Sequence, residues 1–315
     1  LEWLNSDYAQ RGAEQQCQDC HLRRVKGAVK ITRRPPWFDV KREPFKQHTF
    51  SGGNRLVLGM LQVLAEGMDK GGLAAGLQQA VERADETLKR ASRIEVLEVE
   101  LAQALRVKVG VENLTGHKLP TGYPSRRAWV RLTVLNADGT KLFQSGGWDP
   151  ETGIAGMDTP YEPHHDVISR EDQVQVYQSV MGTQQGEVTH TLLRAARYLK
   201  DNRIPPKGFR ADGPWTEHTA VAGEACEDAD FNRSATSEGT GRDLIDYRIP
   251  LEGAVYPLRV EAELLYQTVS RSFANDLFES QAEAVEIFKL LYERLSQPPV
   301  QLGHAMVPVA EESGS

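Results

Sequence analysis

The stretch LRVKVGVENLTGHKLPTGYPSRRAWVRLTV, residues 105–134, indicates most directly how this chain folds. Every second residue from Leu105 to Val111 is apolar, and the same alternation returns from Val130 to Val134. Alternate residues of a strand point to opposite faces, so each run predicts a strand with one buried face. Glycine and proline, which favour turns, are frequent between the two runs. The stretch therefore predicts two strands of a β-sheet joined by a loop.

The same period of two recurs on both sides of this stretch, at residues 97–101, 174–176 and 258–264. Turn signals separate the runs, for example Asn136-Ala-Asp-Gly139. Several short strands divided by turns predict an antiparallel, sandwich-like β domain.

Helical spacing replaces this alternation towards the two ends of the chain. Apolar residues recur three and four positions apart in residues 54–66 and 73–92, which predicts two helices. Residues 272–296 show the same spacing and are followed by Pro298, which predicts a long C-terminal helix. We expect the last dozen residues to form a loose tail, and a further short helix to end before Pro205.

These patterns together predict an α+β fold. A short N-terminal segment and helices would pack with an antiparallel β-sandwich-like domain, and a long C-terminal helix would follow. The expected segments are residues 1–93, 94–270 and 271–315.

Composition excludes some classes of function. The 315 residues are 40% apolar and 26% charged, with a formal net charge of −7, as in ordinary globular domains. A nucleic-acid-binding protein would show a basic face, and the sequence suggests none. The sequence also contains no run of about 18 apolar residues, so we expect no transmembrane segment.

Residues 14–24, EQQCQDCHLRR, bring together residue types that are scarce in this chain. Three cysteines are too few for a disulfide framework. A redox-active pair normally follows a buried strand, and the residues before Cys17 show no strand pattern. Zinc requires a second pair of ligands, and beyond Cys17 and Cys20 only Cys226 remains. Covalent haem attachment through C-x-x-C-H uses Cys17, Cys20 and His21 together.

The spacing of this motif has a mechanical reason. Two thiols three residues apart can form thioethers with the two vinyl groups of one porphyrin, and the next imidazole can bind the iron. We therefore predict that residues 1–93 bind haem c, with Cys17 and Cys20 as the attachment points and His21 as an iron ligand.

Several histidines are candidates for the sixth iron position. His48 precedes a Gly-Gly pair and an apolar helical stripe, a plausible setting for a second iron ligand; the alternative is a histidine that caps this helix. His117 lies in the loop of the opening stretch. His164 and His165 are adjacent, so at most one of them is expected to face a given site.

Charged residues near these histidines suggest further contacts. Arg126 and Arg127 belong to the loop that carries His117, and either guanidinium could bind a haem propionate. The alternative is a structural loop with solvated charges. Asp228 and Asp230 could bind calcium or form an acidic surface loop.

The chain resembles the C-terminal part of bacterial multihaem c-type cytochromes in which a β-rich domain follows the haem region. C-x-x-C-H is the most specific element of this resemblance, and GHKLPTG is less specific. The matching stretches are CQDCH, HTFSGGN, GHKLPTGYPSRRAWV, DQVQVYQSVMG, LLRAARYLKDNR and LLYQTVSRSFANDL.

The resemblance implies electron transfer, with His48 and His117 as iron ligands or haem neighbours, and a periplasmic or cell-surface location. This chain departs from the family because it carries one C-x-x-C-H motif where the family usually carries several. One haem cannot conduct electrons across a chain of this size. We therefore expect the other haem sites either on a missing N-terminal part of a larger protein or on partner chains or subunits, in a complex, a homo-oligomer or a filament.

The leading hypothesis is thus an electron-transfer cytochrome rather than an enzyme, with His21 and His48 as the two axial ligands. One alternative is a haem enzyme whose sixth iron position is open, with Arg127 or His117 beside it. Another is a docking or scaffold subunit in which the haem has only a structural role.

Overall fold

The structure is a computed structural model, and it describes residues 1–10, 15–68, 71–156, 161–295 and 298–311. The chain forms two compact units. The N-terminal unit comprises Tyr8–Leu88, and the β unit comprises Leu1–Asp7 together with Lys89–Ser315. Helices and largely antiparallel sheets are both present, so the predicted α+β class is confirmed.

The N-terminal unit combines short elements with two longer helices. Its elements are α1 (Cys17–His21), β1 (Arg23–Val25), β2 (Val29–Lys30), β3 (Lys41–Arg42), β4 (Phe45–Gln47), α2 (Arg55–Gly67) and α3 (Gly71–Lys89). Strand β1 pairs with β4 and β2 pairs with β3, both antiparallel. The buried apolar side chains of this unit that the structure describes all lie on α2 and α3, on the stripes that the sequence predicts: Met60, Ala65, Val81, Ala84 and Leu88.

The β unit contains the remaining strands. They are β5 (Ser92–Leu101), β6 (Leu105–Asn113), β7 (Arg127–Leu135), β8 (Lys141–Ser145), β9 (Trp148–Asp149), β10 (Gly153–Ile154), β11 (Val167–Ile168), β12 (Val176–Gly182), β13 (Arg197–Asp201), β14 (Arg242–Ile249), β15 (Leu258–Gln267) and β16 (Val300–Val309). Its helices are α4 (Thr216–Thr219), α5 (Arg271–Phe278) and α6 (Glu283–Arg294). No helix in the described part of the chain combines the length and the apolar character needed to cross a membrane.

Two sheets form the body of the β unit. One has the strand order β11-β14-β6-β5, and the other has the order β13-β12-β7-β15-β16, with β8 paired to β7. All these pairs are antiparallel except β11–β14, which is parallel. The alternating residues of 105–111 and 130–134 are buried, as the period of two predicts. A hydroxyl from one sheet, that of Tyr177 on β12, donates to Asp243 on β14 of the other at 2.6 Å; the sandwich-like arrangement itself stays a prediction.

The C-terminal region differs from the prediction. The expected single helix over 272–296 is two helices, α5 and α6, and residue 296 lies outside the described residues. The ring centroids of Phe278 and Tyr292 lie 5.4 Å apart, so the two helices pack on each other. The expected tail is instead strand β16, which pairs with β15; residues 312–315 lie outside the described residues.

The short helix expected before Pro205 is also wrong. A single 3-10 turn, Leu192–Arg194, is followed by strand β13, which pairs with β12. Leu193 is 99% exposed, so its apolar side chain does not contribute to a buried helical face.

Candidate haem-binding site

The C-x-x-C-H motif forms α1, a helix of five residues in the N-terminal unit. Residues three and four positions apart lie on the same side of a helix, so Cys17, Cys20 and His21 share one side of α1. Both thiols are exposed, and neither forms a disulfide within the described part of the chain. One helical turn therefore presents two sulfur atoms and an imidazole together.

The start of α1 is fixed by charged and polar contacts. The carboxylate of Asp19 accepts a hydrogen bond from the backbone N–H of Gln16 at 2.8 Å. The same carboxylate forms an ion pair with Lys46 on β4. The hydrogen bond from Lys46, followed by that from Gln16, lowers the pKa of Asp19. These contacts tie the motif to β4, which immediately precedes His48.

The ring of His21 is oriented by the backbone of Ser51. His21 Nδ1 lies 2.7 Å from the Ser51 carbonyl oxygen. A carbonyl oxygen only accepts, so Nδ1 carries the proton and Nε2 is the nitrogen able to bind a metal. The Ser51 N–H donates in turn to the His21 carbonyl at 3.1 Å, and the Thr87 hydroxyl donates to the Ser51 hydroxyl at 2.8 Å. The imidazole is thus held in the tautomer that an iron ligand requires.

His48 lines an open groove of about 1340 Å³ in the same unit. Gln18 of α1 and Leu22, which follows α1, line this groove too. The His48 ring stacks on Phe50, with centroids 5.7 Å apart, and Phe50 is 72% exposed. The alternative of His48 as a helix cap is wrong, because the side chain of Asn54 caps α2 by accepting from the Val57 N–H. The structure therefore places His48 in a groove that Gln18 and Leu22 also line, whereas Cys17, Cys20 and His21 are not among its lining residues.

Basic side chains border this groove. Arg23, Arg42, Lys46 and Arg83 all line it. Arg83 Nε is buried and has no hydrogen-bond partner among the residues that the structure describes. A guanidinium with an unsatisfied donor beside a large groove suits an anionic group such as a carboxylate.

The segment that carries the motif and His48 has little core of its own. From residue 15 to residue 54, no side chain is buried. The sheets of this segment contain only two or three residues per strand. A segment of this kind lacks the apolar burial that stabilises a small fold.

The loop between β6 and β7 lies in the β unit and is more buried than expected. His117 Nδ1 faces the Lys118 carbonyl at 3.1 Å, and the side chain of His117 is half-buried. Lys118, which follows His117 in this loop, is fully buried; its ammonium donates to Asp201 at 2.7 Å. The loop is therefore held by internal contacts of the β unit.

The two arginines of this loop also have partners within the β unit. Arg126 is half-buried, and its Nη1 donates to the Thr121 carbonyl at 3.0 Å. Arg127 is buried at the start of β7; its Nε donates to Gln267 at 2.9 Å, and its guanidinium lies 5.7 Å from the centroid of the Trp129 ring. Burial lowers the pKa of Arg127 to about 10. The alternative of solvated loop charges is therefore wrong for Arg127, which is buried.

His164 and His165 make separate contacts in the β unit, in keeping with their adjacent positions. His164 is buried and its Nε2 lies 2.9 Å from Asp228. His165 Nε2 lies 2.7 Å from Glu162. The candidate residues thus fall into two sets: Cys17, Cys20, His21 and His48 in the N-terminal unit, and His117, Arg126, Arg127, His164 and His165 in the β unit.

Two contributors to the site in the N-terminal unit were missed by the sequence analysis. The Ser51 carbonyl is a backbone group 30 residues from His21, and no sequence motif marks it. Arg83 lies on the predicted helix 73–92, where a charged residue is ordinarily assigned to the solvated face.

Comparisons with known proteins place few limits on this chain. No protein-family model matches it, and no curated protein matches it. A solved structure that matches is a penta-heme cytochrome c552 from Thermochromatium tepidum, with 16% sequence identity and a TM-score of 0.46. The match covers 95% of this chain and 48% of that chain, so this chain spans about half the length of that protein. At this identity and score, the likeness assigns no function to the chain.

Proposed function

We propose that the chain is a c-type cytochrome whose haem is bound covalently at Cys17 and Cys20 and ligated by His21. The observation that carries this proposal is the hydrogen bond from His21 Nδ1 to the Ser51 carbonyl, 2.7 Å long. This bond directs Nε2 towards metal binding on the same helical turn as the two exposed thiols. Bound haem supplies one-electron redox chemistry at its iron.

Other residues of the N-terminal unit complete the proposed site. His48 would be the second iron ligand; it belongs to the same unit as the motif and lines the groove that Gln18 and Leu22 border. Arg83, with its unsatisfied buried Nε, holds a haem propionate, and Arg42 is placed on the same groove. Arg126 and Arg127 stay proposed as haem neighbours from their place in the sequence, although each already has a partner in the β unit.

The low burial of residues 15–54 supports a cofactor as part of the fold. A segment with no buried side chain gains little from the hydrophobic effect. Small units of this kind are commonly stabilised by disulfides or bound cofactors. A porphyrin fixed to α1 would supply an apolar surface for side chains such as Leu22, Ile31 and Phe50, which line the groove.

The proposed role is electron transfer beside other haem-bearing chains or subunits, outside the cytoplasm. With two histidines on the iron, neither axial position is open to a substrate. Electron transfer therefore suits this ligand set better than catalysis, and with one C-x-x-C-H motif in this sequence the other haems would lie either elsewhere in a larger protein or on partner chains.

Covalent attachment is tested on the purified full chain by intact mass and by acid–acetone extraction. We expect the mass of one haem on the chain and a pigment that stays with the protein. Changing both cysteines, Cys17→Ser and Cys20→Ser, should abolish both signals, whereas Cys226→Ser in the β unit should preserve them. A colourless wild-type protein with intact thiols at Cys17 and Cys20 would contradict the proposal.

The ligand set is tested by the optical and electron paramagnetic resonance spectra of the haem. We expect low-spin iron in the wild type and a change to high-spin iron in His48→Ala. His218→Ala, which changes an exposed histidine of the β unit, should leave the spectrum unchanged. A wild-type protein with high-spin iron that binds cyanide readily would favour the enzyme hypothesis, and a low-spin His48→Ala protein would exclude His48 as the ligand.

A further inference from the structure

The β unit contains a cluster of four carboxylates that have no part in the proposed haem site. We call Asp166, Asp228, Asp230 and Asp243 the acidic cluster. Oxygen atoms of Asp166, Asp228 and Asp230 lie within 4.8 Å of one another. Asp228 and Asp243 also lie within 4.8 Å of each other, together with a ring nitrogen of His164. Asp228 is shared by both groups, and the negative charge of Asp243 contributes to the raised pKa of Asp230, so the two groups adjoin each other.

Three separate segments supply these side chains. Asp166 immediately precedes β11, Asp228 and Asp230 lie in the loop after a 3-10 turn at Glu224–Cys226, and Asp243 lies on β14. Asp228 Oδ1 accepts from the backbone N–H groups of Asp230 and Phe231 at 2.8 and 3.2 Å. This turn fixes the loop so that Asp228 and Asp230 sit side by side.

Hydrogen bonds define the protonation of His164 at the edge of the cluster. Its Nδ1 faces the amide nitrogens of Gln175 and Asn202 at 2.9 and 3.0 Å. Each of these nitrogens also donates to a group that can accept, the Asp243 carboxylate or the Val176 carbonyl. Both are therefore donors, so Nδ1 of His164 accepts and the proton lies on Nε2, which donates to Asp228 at 2.9 Å. His164 thus orients Asp228 and is not itself a metal ligand.

The acidic cluster contains buried oxygen atoms without partners. Asp243 is 0% exposed; its Oδ2 accepts from Gln175 and Tyr177, but its Oδ1 has no hydrogen-bond partner among the residues that the structure describes. Asp230 Oδ1 and the Tyr247 hydroxyl are buried and unpartnered in the same sense. A fully buried carboxylate oxygen without a partner is costly, so this oxygen points to a missing positive partner.

The nearby cationic side chains do not supply that partner. The buried ammonium of Lys200 donates to three backbone carbonyls, and its pKa is lowered by burial to about 7. Lys108 lies 3.7 Å from Asp246 rather than on the cluster.

Burial, followed by the negative charges of Asp228 and its neighbours, raises the pKa of Asp230 to about 7, and burial raises the pKa of Asp243 to about 6.

We propose that the acidic cluster binds a divalent cation of the calcium type through carboxylate oxygens of Asp228, Asp230 and Asp243. Calcium takes six to eight oxygen ligands and accepts irregular geometry, which suits a site built from carboxylates of a loop and a strand. Softer metals prefer nitrogen or sulfur ligands, and the nearest imidazole nitrogen, Nε2 of His164, carries a proton. The ion ties the 228–230 loop to β14 and stabilises the β unit.

The site differs from the calcium loop of EF-hands. Asp228, Asp230 and Asn232 follow the D-x-D-x-N order, but the sixth position is Arg233 where that loop requires glycine. Asn232 is engaged elsewhere, since its side chain donates to the Phe209 carbonyl and accepts from the Gly241 N–H. The site is therefore assembled from distant segments rather than from one loop.

The proposal is tested on the purified full chain after dialysis against EGTA. Thermal unfolding is followed by circular dichroism with and without calcium, and binding by isothermal titration. At a calcium concentration one hundred times Kd, we expect an increase in Tm of the β unit of about 5–10 °C and one ion per chain. Magnesium at the same concentration should give a smaller shift.

Two variants separate a calcium site from a merely structural cluster. Asp243→Asn and Asp230→Asn should each lose the calcium-induced shift, yet without calcium they should be at least as stable as the wild type, because each removes a repelling charge. Asp230 is the less buried of the two, so Asp230→Asn keeps the test valid if Asp243→Asn does not fold. The control Asp212→Asn changes an exposed acid of the same unit and should keep the full shift.

Three results would overturn the proposal. The first is that folded wild-type protein shows neither calcium binding nor a change in Tm at millimolar calcium. The second is a calcium-induced increase in Tm that persists in both variants. The third is that zinc binds more tightly than calcium, and that zinc binding is lost in His164→Ala but not in Asp230→Asn. The haem spectrum should be the same with and without calcium. The outcome is therefore independent of whether the cytochrome proposal holds.

Discussion

The buried ion pair between Lys118 and Asp201 gives a prediction whose size follows from the structure. Both side chains are 0% exposed, and Lys118 Nζ donates to Asp201 Oδ2 at 2.7 Å. Arg203 binds both oxygens of the same carboxylate, each at 2.7 Å. The change Asp201→Asn keeps the shape of the side chain but leaves two buried cations; a carboxylate that remains near them is Glu2, 3.5 Å from Arg203. Removing one partner of a buried pair costs about 3–5 kcal/mol.

The assay is urea or thermal unfolding of the β unit followed by circular dichroism. For a unit of this size each kcal/mol corresponds to about 2–4 °C, so Asp201→Asn should lower Tm by about 6–20 °C. Burial raises the pKa of Asp201, but the ion pairs with Arg203 and Lys118 outweigh burial and lower it. The stability from this carboxylate is thus present above about pH 4 and is lost as the pH falls through the lowered pKa.

Asp201→Asn should consequently lack that acid-side loss. Asp212→Asn, which removes an exposed acid paired with Arg210, should unfold like the wild type. A loss below about 1 kcal/mol for Asp201→Asn, or equal acid-side losses in variant and wild type, would refute the reasoning.

Three further predictions concern the acidic cluster, the N-terminal residues and the proposed iron ligand. In EGTA the free energy of unfolding of the β unit should fall from about pH 4 to pH 7, because the pKa values of Asp243, about 6, and Asp230, about 7, in the folded state lie above the usual 3.8. Saturating calcium should reduce this fall. The measurement is urea unfolding at pH 5 and pH 7.5, with and without calcium. The charged and titratable groups around the cluster are Asp166, Asp228, Asp246, His164, Lys108, Lys200, Tyr177 and Tyr247. Gly208→Ala should destabilise the β unit by about 1–3 kcal/mol and expose residues 1–7 to proteolysis, because Gly208 has φ +85° and a Cβ there would lie 2.6 Å from the Asp7 nitrogen. The control Gly253→Ala, at φ +81° with no atom within 4 Å of the added Cβ, should destabilise the unit less. Equal losses of stability in the two variants would show that the contact with Asp7 is unimportant. His48→Met should raise the reduction potential of the haem in a spectroelectrochemical titration, because a methionine ligand raises the potential of histidine-ligated cytochromes. An unchanged potential would argue against His48 as an iron ligand.

The strands were predictable wherever both their alternation and their pairing are strong. Val107, Val109 and Val111 alternate with polar residues and are at most 1% exposed, so the local pattern and the tertiary burial agree. Val260 on β15 is fully buried opposite Val134 on β7, which fixes the register of the other sheet. Period-two alternation is reliable here because one face of each strand is packed against the core.

The failures have a common physical cause. The residues of β13 show helical spacing, but pairing with β12 outweighs this local preference. Residues 300–309 contain a glycine and a proline, yet they form β16 because β15 offers a long edge for pairing. A single sequence records preferences over a few neighbouring residues, whereas these two strands are decided by partners that the pattern does not identify.

The candidate sites show the same difference between residues that a short motif marks and residues that only the fold brings together. Cys17, Cys20 and His21 were singled out because their spacing within five residues is itself the signal, and their binding of haem stays a prediction. Asp228 and Asp230 were noticed as neighbours, but Asp243 joins them only through the fold. Solvated charges were an open alternative for the loop of His117, because the sequence does not reveal that Lys118 binds Asp201, 83 residues away.

Under the cytochrome proposal, the lack of buried side chains around α1 indicates that haem attachment precedes folding of this segment. A helix of five residues is far below the length at which helices are stable alone, and no side chain between residues 15 and 54 is buried. Before attachment, Cys17 and Cys20 would therefore be exposed on a helix that is not stable on its own. Once attached, the haem would fix α1, and the bond from His21 to Ser51 would connect α1 to the residues just before α2. Under the cytochrome proposal, attachment is then a folding step of the N-terminal unit, whereas the β unit folds through its own buried sheets and charges.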